Sequence, residues 1–99
     1  MDVSMDENNY SQAVVLLKAM ANEARLQILC ILHASELSVG QLCERLPLSQ
    51  SALSQHLAWL RRDGLVKTRK QSQTVYYSLK SDEVKVVIEQ LGSLYQLAL

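Results

Sequence analysis

A chain of 99 residues is long enough for one domain with one modest core, and 48% hydrophobic content with only three Gly and one Pro excludes a disordered polymer. Ten Lys/Arg balance ten Asp/Glu, yet residues 54–80 hold Arg61, Arg62, Lys67, Arg69, Lys70 and Lys80 against Asp63 alone, a basic block of the kind that meets nucleic acid. The acidic N-terminus and the lack of any run near the ~20 apolar residues of a membrane span give the expectation of a cytoplasmic protein with reduced thiols and no membrane partner.

Residues 1–9 are polar and acidic and are expected to form a disordered arm, with residues 10–99 as one domain. From about Tyr10 the spacing predicts a helix, with Ala13, Leu16, Leu17 and Met20 on one stripe and Val14 and Val15 widening it. Asn22 can cap a second helix, Glu23–His33, apolar at Leu26, Leu29 and Cys30 and broadened by Ile28, Ile31 and Leu32. Glu36–Val39 is a short, strand-like break. Ser38 and Gln41 form an S-x-x-Q capping box for a third helix that buries Leu42 and Leu46 and closes at Pro47.

A short turn over Pro47–Ser49 leads to Ser49, the N-cap of a fourth helix that runs toward Gly64. Leu53, Leu57 and Leu60 fall on one narrow stripe of it at 100° per residue. Two short helices joined this way make a helix-turn-helix. Leu65–Lys70 and Thr74–Lys80 then read as strands, with Gln71–Gln73 as the polar tip of a basic hairpin, a wing. Ser81, Asp82 and Glu83 start a last helix with a long apolar seam at Val84, Val87, Ile88, Leu91, Leu94, Tyr95 and Ala98. That seam and the apolar first helix exceed what so small a core needs. The expected outlet is a homodimer packed through the first and last helices. The alternative is that both helices cap their own domain.

The fold class expected is therefore mainly α (α+β), a winged helix-turn-helix. The face opposite the leucines carries Ser51, Gln55, Ala58 and Arg62, with Gln50 and Ser54 beside it. An ordinary solvated face would favour Glu–Lys pairs at i,i+4, and none occurs here. Ser and Gln donate and accept, as base edges in a major groove require. Ser51, Ser54 and Gln55 are the candidate base readers, and Gln50 touches either a base or a phosphate. Arg61, Arg62, Arg69 and Lys70 are the candidate phosphate contacts. Ser49, His56 and Gln73 complete the set, although His56, about 60° from the leucine stripe, also suits a packed or locally bonded place. No Ser/His/Asp set, metal cluster or glycine-rich phosphate loop occurs, so an enzyme is not expected. The rival is a winged helix that binds protein instead of DNA.

The segments LKAMANEARLQILCIL, ELSVGQLCERLPLSQSALSQHLAWLRRDGLV and QTVYYSLKSDEV resemble the ArsR/SmtB family of winged helix-turn-helix regulators, in its HlyU-like branch, which is related to the BigR/SqrR sulfur sensors. The match runs from about Ala13 to Tyr95. The resemblance implies a homodimer, an α1-α2-α3-α4-β-wing-α5 order and a palindromic promoter site, an imperfect inverted repeat. HlyU-like members raise transcription of virulence genes by displacing a nucleoid silencing protein. The alternative within the family is a sulfur-, redox- or metal-responsive repressor of its own operon.

The family's ELCxC metal box falls on Glu36–Gly40, which reads ELSVG, with Ser38 and Gly40 where the thiols would stand. Its zinc site in the last helix needs histidines, and this segment offers only Asp82 and Glu89. No metal and no cofactor are expected. Cys30 matches the branch's second-helix cysteine, whose partner would stand at Gln96. The expectation is an unresolved single-thiol modification at Cys30 or no redox response. Cys43 is the other thiol, and a Cys30–Cys43 bridge would need Cα atoms within about 7 Å. Both also suit the role of small buried hydrophobes.

Overall fold

The computed structural model describes residues 7–99, with side chains from residue 9 on. The first six residues of the arm expected over 1–9 lie outside that range. Glu7 already begins α1 (Glu7–Met20), ahead of the expected start at Tyr10. There follow α2 (Glu23–Ala34), β1 (Leu37–Ser38), α3 (Val39–Arg45), α4 (Gln50–Arg62), β2 (Val66–Gln71), β3 (Thr74–Leu79) and α5 (Asp82–Tyr95). This is the mainly helical α+β order expected, with a wing between α4 and α5.

The caps fall where the side chains dictate. Arg25 N–H donates to Asn22 Oδ1 at 3.1 Å and opens α2. Gln41 N–H donates to Ser38 Oγ while Ser38 N–H donates to Gln41 Oε1, which closes the capping box on α3. Leu46, next to Pro47, is extended (φ −129, ψ 141), because the proline ring disfavours helical geometry in the residue before it. Ser81 Oγ accepts from Val84 N–H and opens α5.

The core gathers one face from every helix. Ile28, Leu29, Leu42, Leu53, Leu57, Leu60 and Ile88 are fully buried, each contributing about 1.5–3 kcal/mol relative to exposure. Among the described residues of α1 only Ala19 and Met20, in its last turn, are buried, whereas Val14, Val15 and Leu17 are exposed. The α5 seam behaves likewise: Val84 and Ile88 are buried, Val87 and Leu91 half-buried, and Leu94 and Tyr95 exposed. Both helices reach past the edge of the protomer's own core.

The wing is broader than a hairpin. β1 joins it, and the sheet order is β1-β3-β2, antiparallel throughout. Leu37 pairs with Tyr77 and Ser38 with Tyr76. Gln71 pairs with Thr74, so only Ser72 and Gln73 make the tip, with Ser72 in the left-handed region (φ 55). Among the described residues no helix is long and apolar enough to cross a membrane.

Candidate nucleic-acid interface

The candidate surface is set by how α4 is started and seated. Ser49 caps it: Ala52 N–H donates to Ser49 Oγ at 3.1 Å, and Leu53 N–H donates to the Ser49 carbonyl. The Ser49 hydroxyl oxygen is thereby engaged, which leaves its own proton to donate outward. With Leu53, Leu57 and Leu60 at 0% exposure, the far side of α4 must face solvent. Gln50, Ser51, Ser54 and Gln55 are all exposed and line one open depression. The depression lies at the positive end of a 13-residue helix, where phosphate is favoured electrostatically. His56 is half-buried beside it.

At the other end of α4, Arg61 is exposed and Arg62 is engaged. Arg62 Nε donates to Asp63 Oδ1 at 3.2 Å, and its guanidinium lies 5.0 Å from the Trp59 ring centre. Arg25 of α2 lies 5.6 Å from the same ring. Exposed Trp59 is thus bracketed by two cations, a feature that helical periodicity alone did not signal. The Arg62 side chain is 65% exposed, so its pairing with Asp63 is well screened and open to exchange.

The wing cations do not act as one pair. Arg69 is opposite Tyr76 and Lys70 opposite Val75, so these strand neighbours project to opposite faces of the sheet. Lys70 and Gln73 are exposed near the tip. Arg69 is bound to Glu36, with Nη2 2.7 Å from Oε1, and lies 4.8 Å from the Tyr76 ring centre. The hydrogen bond from Arg69 holds the Glu36 carboxyl below the usual carboxylate range, and the Arg69 and Lys67 charges add to it. The same bond raises Arg69 still further. Glu36 was missed in sequence because it stands 33 residues from Arg69 and meets it only through the β1–β3 pairing.

The thiols stand apart from this surface. Cys30 is buried in α2 and Cys43 half-buried in α3, and both are free. Burial pushes the Cys30 thiol up. Cys30 shares a groove of about 400 Å³ with Leu26, Ile31, Leu46, Leu97 and Ala98. Gln96 caps α5 in left-handed geometry (φ 55), and Leu97 N–H donates to the Gly92 carbonyl, which turns the tail back toward α2. The residue at the resembling proteins' second cysteine position is therefore adjacent in the chain to a wall of the Cys30 groove. His33 Nε2 lies 3.2 Å from Glu89 Oε1, joining α2 to α5. Among the described residues no three of His, Cys, Asp and Glu gather in a metal-binding arrangement.

Residues 22–68 match the bacterial regulatory protein, ArsR family. Across 95 residues the chain is 68% identical to the transcriptional activator HlyU of Vibrio cholerae, covering 96% of this chain and 88% of that protein. The solved structure of HlyU from Vibrio cholerae superposes with a TM-score of 0.89 at 70% identity, covering 93% of this chain and all of that one. A homodimeric winged helix-turn-helix DNA-binding domain from Mycobacterium bovis superposes with a TM-score of 0.82 at 26% identity, covering 97% of this chain and 91% of that one.

Proposed function

Because the chain belongs to the ArsR family of bacterial regulatory proteins and is a DNA-binding transcriptional regulator, we propose that it works as a homodimer on an imperfect inverted repeat in promoter DNA and activates transcription in the HlyU manner, by displacing a nucleoid silencing protein. The observation that carries the DNA contact is the exposed, uncharged Ser/Gln face of α4, held outward by three fully buried leucines. Ser51, Ser54 and Gln55 read bases, and Gln50 reads a base or a phosphate. Arg61, Arg62 and Lys70 hold phosphates, with Ser49, His56 and Gln73 at the margins and Arg69 conditional on its carboxylate partner. The dimer reading is supported by exposed Val14, Val15 and Leu17 on α1 and Leu94 and Tyr95 on α5. It is supported as well by the homodimeric Mycobacterium bovis domain. Two recognition helices then enter successive major grooves about 34–36 Å apart.

The test is genome-wide mapping of bound sites, followed by titration of a mapped site and of random duplex across salt. Tight binding to the mapped site with a linear salt dependence supports the reading. The absence of salt-dependent DNA affinity would instead favour a protein-binding winged helix. Transcription assays with and without the silencing protein separate the modes of action: activation only in its presence marks displacement.

Thiol control at Cys30 is a second reading, favoured by the groove that joins it to the α5 tail. The modification is a sulfenic acid or a persulfide, which adds polar volume between α2 and the tail. DNA affinity before and after peroxide or polysulfide, with mass spectrometry on native and Cys30→Ser chains, tests it. Unchanged affinity after complete Cys30 modification ends this reading. A linked Cys30–Cys43 peptide would show that Cys43 resolves the thiol after all.

A further inference from the structure

The Glu36–Arg69 contact is built by the sheet register. Arg69, Tyr76 and Ser38 stand directly opposite one another on β2, β3 and β1. Glu36 lies two residues before Ser38, on the same side of extended chain. It therefore reaches across Tyr76 to the guanidinium. Arg69 Nε donates to both Glu36 oxygens at 3.1 Å, Nη2 donates to Oε1, and Nη1 donates to Gln71 Oε1 at 2.9 Å. The most sharply held cation of the wing is thus neutralised by a carboxylate of its own chain. The two side chains remain 49% and 34% exposed, so a phosphate can reach the pair and compete with Glu36.

We propose that Glu36 is an intramolecular competitor for DNA phosphate: it withholds Arg69 from the backbone and so limits the sequence-independent grip of the wing. The inference rests on the reading of this chain as a DNA binder. A cation already paired with a carboxylate displaces no counterion when it meets DNA, so it adds nothing to the salt dependence of binding. Releasing it adds one phosphate contact per protomer, and Tyr76 still supports the guanidinium face.

The experiment measures affinity for a random-sequence duplex about three helical turns long, over a salt series, for the native chain, Glu36→Gln, Arg69→Gln and the double variant. Glu36→Gln is expected to tighten binding at low salt. It should also steepen the log–log salt slope by about 0.9 per protomer, about 1.8 for the dimer, which is about a twelvefold greater loss of affinity between 50 and 200 mM salt. Arg69→Gln leaves the Glu36 carboxylate unpaired beside the backbone and should weaken binding, whereas the double variant, which removes both charges, should return to the native slope. Nitrogen-detected NMR of the Arg69 Nε–H gives a second readout, slow exchange in the native chain and fast exchange in Glu36→Gln. A Glu36→Gln chain that binds no tighter, or more weakly, overturns the proposal, as does a double variant whose slope is flatter than the native one. In either case the native chain still binds DNA and the functional reading stands. A native chain with no salt-dependent affinity for DNA overturns both.

Discussion

At the scale of the residue, Gln55 carries the sharpest expectation. It is exposed at the centre of the outward face of α4, with an amide that matches an adenine edge in the major groove. Gln55→Ala should cost about 1–3 kcal/mol on the mapped site and little on random duplex, read by fluorescence titration. Equal losses on both would remove it from base readout. This residue was legible in sequence because helical spacing alone opposes it to Leu53, Leu57 and Leu60. Arg69 was legible as a cation but not as a bound one, since nothing local to β2 announces Glu36. Cys30 lies between these cases: the apolar α2 predicts its burial, and burial fixes its chemistry. Its raised pKa means the native thiol keeps its proton at pH values where an unfolded one has ionised. The stability this contributes is whole below the ordinary thiol range and is lost as pH rises through the native value. Alkylation near neutral pH should label half-buried Cys43 before Cys30, with peptide mass spectrometry as the measure, and the Cys30 rate should climb in alkali.

At the scale of the element, helix boundaries followed from capping side chains, and the strands followed only in part. Ser49, Ser38, Ser81 and Asn22 all cap as their sequence positions suggest. β1 is two residues long, too short for alternation to declare itself, and its partner Tyr76–Tyr77 lies in another element. Two glycines matter at this scale. Gly64 ends α4 at φ +80, with open space where a Cβ would stand, so Gly64→Ala meets conformational cost alone. About 1–2 kcal/mol of stability should be lost in urea unfolding, without any change in the α4 surface. Gly92 is different in kind: a Cβ there would sit 2.8 Å from Leu99 Cδ1, so Gly92→Ala should displace the tail that borders Cys30. Faster Cys30 alkylation in Gly92→Ala than in the native chain would report that displacement. The clasp on β1 adds an acid response. Glu36 is held low by Arg69, so its contribution to the wing is present above the ordinary carboxylate range and lost as pH falls through the native value.

At the scale of the molecule, the sequence showed more apolar surface than one core could use, and the fold shows where the excess lies. Leu17 is 59% exposed and Leu94 72% exposed, on helices that bury only part of their length in the protomer. For the homodimer proposed, Leu17→Glu should give a folded monomer in sedimentation, because the protomer core does not include that side chain. An unchanged dimer would place the interface elsewhere. What sequence could not supply is the geometry of the pair, since the periodicity of one helix does not name its neighbour. The exposed faces also bear on gene dosage. When chains are scarce relative to the dimer dissociation constant, the DNA-competent species grows as the square of their concentration. Halving synthesis then cuts it about fourfold by mass action. A surface that looks like unfinished packing in one protomer thereby becomes a threshold on expression, below which the promoter is left to other proteins.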